Sequence, residues 1–329
     1  LIFIMVFGFL SSSTPVIRVA FSKSGDRHNP IFDSLTHKAN IKVIEKDDKV
    51  IGEELEKGHI TAILDIQPVN PAGYPKYKVG IKTSTAAADR IGLLHSVIQQ
   101  VISQLDRQDD PNKPVYAFQQ QEMTPGREYR TIDFILPGQL GFSLLSAGVF
   151  GVAFIFYNLR QTLVLKRFFA TPIKRPYIIF GEGLGRVVFQ LITAVVILSI
   201  GHFAFKFTLI HGWLTFLELL VLSMIGLVVF MGFGFIVSGL AGSESAIPPF
   251  ANLVTLPQFL LAGTFFPVEN FPTWLQPLCQ ILPLTHLNEA MRNVAFEGAH
   301  IWDCGKQLGI LGLWGIVVYA AAVKVFRWE

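Results

Sequence analysis

Five long apolar segments fill the second part of this chain, and they restrict its fold more than any other feature. They lie at about 133–157, 178–205, 213–240, 247–266 and 307–326, and each approaches the roughly 20 residues that a helix needs to cross a bilayer. Backbone groups in lipid must be satisfied within the protein, and a helix does this inside one segment. The sequence therefore predicts a polytopic α-helical membrane protein.

A further apolar segment, LIFIMVFGFL, stands at the beginning of the sequence. It is too short to cross a bilayer alone, so we interpret residues 1–12 as the outer end of a truncated first transmembrane helix. The alternative is the remnant of a signal peptide, although no Ala-x-Ala cleavage site follows it. Together with the five other segments, this helix gives a prediction of six transmembrane helices.

Charged residues are concentrated between the first and second of these helices. Residues 11–131 contain 16 Lys/Arg and 15 Asp/Glu, whereas the longer stretch 132–329 contains only 11 and 9. We therefore predict a water-exposed domain at 13–131, inserted before a transmembrane domain at 132–329. The chain shows no basic stripe with interleaved aromatic residues, so no nucleic-acid partner is expected.

Short strand-like runs alternate with helical patterns inside the polar domain. The candidate strands are 16–21, 41–44, 59–66 and 77–81, and the candidate helices are 48–57 and 86–106. This alternation predicts an α/β domain with an at least partly parallel sheet. The polar stretch 107–131 is interpreted as a strand or a linker back to the membrane. The acidic residues between 47 and 54 resemble a metal cluster, but a solvated helix face explains them better, and no metal site is predicted.

Basic residues in the short loops indicate the orientation in the membrane. The loop 159–177 holds five basic residues and no acidic one, and the tail adds Lys324 and Arg327. Because such loops remain in the cytoplasm, we predict that this loop and both ends are cytoplasmic. The α/β domain is then extracytoplasmic. We also predict a location in the bacterial cytoplasmic (inner) membrane, with lipid around the helices.

The stretch 261–292, LAGTFFPVENFPTWLQPLCQILPLTHLNEAMR, is repeatedly interrupted by proline. Proline ends helices, so a spanning helix is expected to stop near Phe266 and short pieces are expected to follow it. Broken elements at membrane depth occur only where protein or a water-filled cavity surrounds them. We therefore predict a re-entrant or outer segment at 267–305, of the kind found in transport or gating devices rather than in simple anchors.

The cytoplasmic loop LVLKRFFATPIKRPYIIFGE, from residue 163 onward, carries an exposed pair of aromatic residues, Phe168 and Phe169. Its basic residues are explained by membrane orientation or by contact with anionic lipid. The aromatic pair is different, because an exposed aromatic patch tends to mark a contact site. This loop is therefore a candidate partner-binding element.

These two stretches resemble the permease subunits of type 2 ATP-binding-cassette exporters, in the group with a large extracytoplasmic domain that exports drugs, lipids or polysaccharides. The first carries the Gly-x-x-Phe-Pro, Pro-x-Trp and Pro-Leu-Thr…Arg pattern, and the second carries the Leu-x-x-x-x-Thr-Pro core. The layout of one helix, a large polar domain and five helices is similar as well. The loop departs from the family pattern where Arg160 or Gln161 replaces an acidic residue.

The resemblance implies a transport subunit that is not itself an enzyme. Two permease subunits, identical or different, would pair, and each would dock on a cytoplasmic ATPase that binds the ATP and Mg²⁺. This chain has no Gly-x-x-x-x-Gly-Lys-Ser/Thr loop, so no cofactor is expected in it. The loop 160–175 would be the coupling element, with contacts from Lys166, Arg167, Phe168, Phe169 and Thr171. The outer gate would include Pro267, Trp274, Pro283 and Arg292.

Several features remain open at this stage. The rival functions are a membrane-embedded envelope enzyme and an anchored envelope-binding protein without transport, although no matched catalytic constellation is visible. Glu182 and Glu218 either mark an ion path or find ordinary hydrogen-bond partners. Cys279 and Cys304 are interpreted as small buried side chains, with a disulfide as the alternative. Ser143, Ala147 and Gly151 form a small-residue face suited to helix packing.

Overall fold

The computed structural model describes residues 17–23, 25–38, 40–56, 58–69, 73–84, 87–109, 116–124, 130–161 and 175–325, and at 88–90, 175–180 and 182 it describes the backbone alone. The chain divides into two compact units, one within Ser13–Tyr129 and one that includes Arg130–Glu329. The first is an α/β unit and the second is helical. The predicted truncated helix at 1–12 lies outside the described residues.

Five strands and three helices make up the described part of the α/β unit. They are β1 Ile17–Phe21, α1 Pro30–Thr36, β2 Ile41–Val43, α2 Asp48–Glu56, β3 Ala62–Pro68, β4 Tyr77–Ser84, α3 Ala88–Asp109 and β5 Ala117–Thr124. The first four strands overlap the four predicted from sequence. The stretch 107–131, which the sequence left between strand and linker, contains β5.

The strands form one mixed sheet in the order β2-β1-β3-β4-β5. Strand β1 is parallel to both β2 and β3, β4 is antiparallel to β3, and β5 is parallel to β4. Successive side chains of a strand point to opposite faces. Val19 therefore packs with α1 and α3 on one face, whereas Ala20 packs with α2 on the other. The sheet is covered by helices on both faces.

Helix α1 was not predicted from the sequence, and its ends explain how it forms. The Asn29 side chain accepts a hydrogen bond from the Phe32 backbone nitrogen at 2.8 Å, and Pro30 occupies the first turn. Both are established helix-starting signals. With only seven residues, of which Ile31 and Leu35 are buried, the helix offers little periodicity to recognise.

The helical unit contains seven α-helices in its described residues. They are α4 Thr131–Gln161, α5 Arg175–Phe205, α6 Trp213–Leu240, α7 Ile247–Leu261, α8 Gln276–Ile281, α9 Pro283–Arg292 and α10 Gly305–Val325. Short 3₁₀ turns lie at Glu244–Ala246, Val268–Asn270 and Ile301–Cys304, and a π turn lies at Asn293–Glu297.

Among the described residues of this unit, four stretches are long and apolar enough to cross a membrane, namely Thr131–Gln161, Gly183–Phe205, Trp213–Leu240 and Ile301–Val325. In the most apolar stretch of α4 and of α6, more than half of the residues are buried within the chain. In α5 and α10 the corresponding share is less than a quarter. Helices α4 and α6 are therefore central, and α5 and α10 leave large apolar side chains such as Phe189 and Ile316 exposed.

The predicted fifth span, 247–266, is wrong in length. Its helix, α7, has 15 residues and ends at Leu261, so it extends only about 22 Å. That is shorter than the roughly 30 Å hydrocarbon core of a bilayer. The physical cause is Gly263, whose φ of 68° lies in the left-handed region and turns the chain away from the helix axis. The apolar residues after it continue without helical geometry.

Glycines allow α4 and α6 to pack closely. A Cβ atom placed on Gly234 of α6 would lie 2.7 Å from the Gly148 carbonyl oxygen of α4. The predicted small-residue face of α4 meets α5 instead. Ser143 accepts a hydrogen bond from Gln190 at 3.3 Å, and the Arg186 guanidinium occupies the space next to Gly151. Small residues on α4 therefore allow close packing of both α5 and α6.

Candidate functional site

The proline-rich segment between α7 and α10 folds into short helices that are separated by breaks. Pro267 precedes the 3₁₀ turn Val268–Asn270, Pro277 lies in the first turn of α8, and Pro283 is the first residue of α9. Proline suits the first turn of a helix because its missing N–H would have no partner there. We call the backbone from Ala262 to Thr264, immediately after α7, the helix break.

Arg292 ties the helix break to α4. Its Nη2 donates to the Gly263 carbonyl at 2.6 Å and to the Phe134 carbonyl at 3.0 Å, and Nε also donates to Phe134 at 3.2 Å. The guanidinium carbon lies 3.7 Å from the centre of the Phe134 ring. Arginine can make such a combined contact because its planar head carries several donors and stacks on aromatic rings.

Asn288 holds the neighbouring carbonyl of the break. This fully buried side chain, on the same helix as Arg292, donates from Nδ2 to the Ala262 carbonyl at 3.1 Å. Its Oδ1 atom is buried and has no hydrogen-bond partner among the described residues, and the same is true of Thr264 Oγ1. Two consecutive carbonyls after α7 are thus bound by α9, while two oxygen atoms at the same junction are left unsatisfied.

A second group of polar contacts fixes the junction between α8 and α9. Thr285 Oγ1 donates to the Cys279 carbonyl at 2.6 Å, and His286 Nε2 donates to the Gln280 carbonyl at 2.7 Å. Trp314 of α10 donates to the Ile281 carbonyl at 2.8 Å. These three side chains bind carbonyls of the last turn of α8, where the helix itself supplies few donors. The broken segment is therefore a defined structure rather than a loose loop.

The four residues predicted for this segment do not form one cluster. Pro283 and Arg292 lie at opposite ends of α9, and both face into the unit, where Pro283 is buried. Trp274, by contrast, is 65% exposed, and Pro267 is a turn residue. The sequence did not identify Asn288, which is fully buried on the same helix.

Glu218 has a definite partner near the beginning of α6. Only 6% of this residue is exposed, its Oε1 lies 3.0 Å from His300 Nδ1, and it accepts a hydrogen bond from the Ile301 nitrogen at 3.4 Å. The His300 ring stacks on His211, with 4.8 Å between ring centres. Of the two interpretations that the sequence left open for Glu218, an ordinary hydrogen-bond partner matches this geometry.

Asp133 is a site that sequence reasoning did not single out. It is fully buried in the first turn of α4, where Oδ1 accepts from the Thr208 nitrogen at 2.8 Å and Oδ2 from the Arg130 nitrogen at 3.0 Å. A carboxylate accepting backbone N–H groups at a helix start is stabilised by the helix dipole as well. It joins the start of α4 to the connection between α5 and α6.

The cysteines are free thiols, as the preferred interpretation of the sequence holds. Cys279 and Cys304 are both buried, and neither forms a disulfide. Cys279 packs with Leu260, Leu261 and Phe271. Burial raises the pKa of the Cys279 thiol to about 11, so it stays protonated at neutral pH.

The predicted coupling residues Lys166, Arg167, Phe168, Phe169 and Thr171 lie outside the described residues, as does the side chain of Glu182. At the described end of α4, Arg160 Nη2 donates to the Ala241 carbonyl at 2.9 Å, and its guanidinium carbon lies 5.4 Å from the centre of the Tyr157 ring. Arg160 thus fixes the end of α4 to the end of α6.

Long apolar helices with exposed apolar faces, and a proline-broken segment whose carbonyls are held by buried polar side chains, define a polytopic helical membrane protein. The family model described as ABC-2 family transporter protein matches residues 1–324. The chain therefore belongs to the ABC-2 transporter family, as its sequence motifs indicated.

Individual relatives agree with this assignment. The chain is 28% identical over 169 residues to ABC transporter G family member 20 of Dictyostelium discoideum, a match that covers 51% of this chain and 22% of that protein. It is 25% identical over 176 residues to the probable multidrug ABC transporter permease YbhR of Escherichia coli, covering 51% and 45%. It is 23% identical over 189 residues to the linearmycin resistance permease protein LnrN of Bacillus subtilis, covering 57% and 48%. Each match spans less than half of the relative's length.

Proposed function

We propose that this chain is the permease subunit of an ABC exporter, which moves a substrate out across the bacterial cytoplasmic membrane. The observation that carries the proposal is the family match over residues 1–324, since it spans both units and all long apolar helices. A separate ATPase subunit would bind and hydrolyse ATP with Mg²⁺, and a second permease subunit would complete the pathway.

The proposed topology has six membrane elements. In this proposal residues 1–12 contribute to the first of them, and the α/β unit lies outside the cytoplasm. Helix α7 is too short to cross alone, so the fifth element consists of α7 followed by the non-helical residues up to Phe266. Such a break within the membrane requires polar partners for its carbonyls, and Asn288 and Arg292 supply them.

The helix break is the proposed gate. Arg292 bridges the break and α4, so any separation of α9 from α4 must release the bonds to the Phe134 carbonyl. The unsatisfied oxygens of Asn288 and Thr264 make the described arrangement less favourable by roughly 1–3 kcal/mol each, because a buried oxygen lacks its hydrogen bond. In the proposed mechanism, ATP-driven movement of the helices reaches an arrangement in which both oxygens find partners.

Coupling to the ATPase would use the loop 160–175. We assign the partner contacts to Lys166, Arg167, Phe168, Phe169 and Thr171, with the aromatic pair inserted in a cleft of the ATPase. Aromatic residues are enriched at the centres of protein interfaces, where their burial contributes most. The anchoring of α4 to α6 by Arg160 would transmit movement of the loop to the central helices.

The first test is co-purification and transport. We would express the chain with the Walker-motif ATPase encoded nearest to it, purify the complex, and measure ATP-dependent uptake into inside-out membrane vesicles. Because relatives carry the names multidrug permease and linearmycin resistance permease, linearmycin and a panel of drugs are the first compounds to test. ATP-dependent accumulation that disappears with an ATPase-inactive partner supports the proposal.

A matched pair of variants tests the coupling loop. The double substitution Phe168→Ala and Phe169→Ala is expected to abolish ATPase capture and transport, while Phe203→Ala, an 83% exposed aromatic on α5, leaves both intact. If no ATPase co-purifies and the double variant retains the cellular phenotype of the native chain, the exporter assignment is wrong. The result would then favour an envelope enzyme or an anchored binding protein.

A further inference from the structure

A cavity of about 370 Å³ lies within the α/β unit. Its wall includes Phe21, the last residue of β1, and Val43, the last residue of β2, and it reaches Asp48 at the start of α2. The cavity therefore sits at the carboxyl ends of two adjacent parallel strands. Its volume is within the range of small-molecule binding pockets.

The topology of the sheet explains why a cavity forms at this place. Strand β1 leads into α1, which packs on the Val19 face, whereas β2 leads into α2, which packs on the Ala20 face. The two connections leave neighbouring strands toward opposite faces of the sheet. Such a divergence opens a crevice at the carboxyl edge, and this is where open α/β sheets bind their ligands.

The bottom of the cavity is apolar. The rings of Phe21 and Phe32 meet edge to face with 4.6 Å between centres, and Ile44 and Ile51 add aliphatic surface. Phe21 and Ile51 are buried, whereas Phe32 and Ile44 are only half-buried. A planar or aliphatic group of a ligand would therefore find a preformed apolar contact at this point.

The rim of the cavity carries charges of both signs in equal number, from Lys23, Arg27 and Lys46 and from Glu45, Asp47 and Asp48. Lys23 Nζ lies 3.3 Å from Asp48, and Arg27 Nη1 lies 3.7 Å from Glu45. All four of these side chains are at least 43% exposed. Exposed pairs of this kind contribute little to stability, so a ligand can replace them at small cost.

We propose that this cavity binds a zwitterionic molecule with an apolar side group, of about dipeptide size. A ligand with a single charge would meet as many like charges as opposite ones on the rim. A zwitterion places its ammonium group beside Asp47 and Asp48 and its carboxylate beside Lys23 and Arg27, while its apolar group fills the bottom. The inference goes beyond the proposed transport function and does not depend on it.

The test is equilibrium binding to the whole chain in lipid nanodiscs, with empty nanodiscs subtracted. The probe is radiolabelled Phe-Phe, compared with N-acetyl-Phe-Phe, which lacks the ammonium, and with Phe-Phe-amide, which lacks the carboxylate. We expect saturable binding of Phe-Phe that weakens about three- to fivefold with either analogue, the effect of losing one exposed ion pair. Absence of saturable Phe-Phe binding, or equal binding of all three compounds, overturns the proposal.

Matched variants locate the binding. Lys23→Ala and Arg27→Ala are expected to weaken Phe-Phe about three- to fivefold while leaving Phe-Phe-amide unchanged, because that analogue has no carboxylate to lose a partner. Phe32→Ala should weaken every compound about tenfold. The control is Lys49→Ala, which removes an exposed charge of α2 that does not line the cavity.

Two outcomes of the variants overturn the assignment to this cavity. One is an equal effect of Lys23→Ala and Lys49→Ala, which would indicate an unspecific charge effect. The other is unchanged Phe-Phe affinity in Phe32→Ala with retained thermal stability. Binding is measured without ATP or a partner, so a failure here leaves the transport proposal untouched, and a failure of transport leaves this one untouched.

Discussion

The guanidinium of Arg292 lies 3.7 Å from the centre of the Phe134 ring and donates two hydrogen bonds to the Phe134 carbonyl. The last residue of the short helix α9 thereby contacts both the backbone and a side chain of the long central helix α4. The same guanidinium also holds the Gly263 carbonyl of the helix break. Arg292 is the point at which the break, α9 and α4 meet.

Arg292→Lys is expected to impair the unit nearly as much as Arg292→Ala. Lysine keeps the charge but loses the planar fork that serves two carbonyls and stacks on the ring. We expect both variants to lose about 1–3 kcal/mol of stability, because charge-assisted hydrogen bonds to two carbonyls are broken. Thermal unfolding of the detergent-solubilised protein measures this. Lys306→Ala, an exposed charge on α10, is the control, and full stability of Arg292→Lys would contradict the assigned geometry.

Gly234→Ala is expected to loosen the packing of α4 against α6. The added methyl would lie 2.7 Å from the Gly148 carbonyl oxygen and 2.8 Å from the Val149 carbonyl oxygen, so the helices must move apart. Overpacking of this kind costs about 1–3 kcal/mol. Gly309→Ala on α10, where a Cβ meets no atom within 4 Å, is the matched control. Unfolding temperatures of the two variants should differ, and equal values would show that α4 and α6 are not in close contact.

Glu218 and His300 are expected to be energetically coupled. Their side chains approach to 3.0 Å and Glu218 is buried, so removing His300 leaves its carboxylate with only the longer bond from the Ile301 nitrogen. A double-mutant cycle with Glu218→Gln and His300→Phe should give a coupling energy of about 1 kcal/mol in stability. His202→Phe, a histidine bonded instead to the Phe207 carbonyl, should show no coupling to Glu218→Gln. Additive single effects of Glu218→Gln and His300→Phe would disprove the pair.

Cys279 is expected to resist alkylation in the folded protein. Its pKa, raised by burial from 9.0 to about 11, lowers the thiolate fraction about a hundredfold at any pH below 9. Because the pKa of about 11 in the folded protein lies above pH 9, raising the pH from 7 to 9 leaves the thiol mainly protonated. Mass spectrometry after maleimide treatment should show rapid labelling only after denaturation. Identical masses with and without reduction are also expected, and a two-proton difference would indicate a disulfide.

The long apolar helices and the family could be recognised from the sequence, because membrane length and proline punctuation are local properties. The same local reasoning located four strands of the sheet. It missed α1, whose signals are the short cap at Asn29 and Pro30, and it extended the fifth span past Gly263. Hydropathy does not indicate that the backbone turns at Gly263. The predicted helix was therefore extended to the end of the apolar segment, although α7 ends earlier.

The hydrogen-bond partners of the buried polar side chains, by contrast, could be identified only from the tertiary structure. The sequence motif indicated that Arg292 is important, but it did not indicate its partner Phe134, which is 158 positions away. Asn288 was not predicted as a site residue. Glu218 likewise finds His300 across 82 positions. The sequence shows which side chains are polar. The carbonyl that each one binds depends on which helices pack together and on how closely glycine residues allow them to approach. The sequence thus determined which segments form lipid-length helices and that a proline-broken segment follows them. The tertiary structure decided where α7 ends and what holds the break, because buried polar groups must find partners wherever packing brings them.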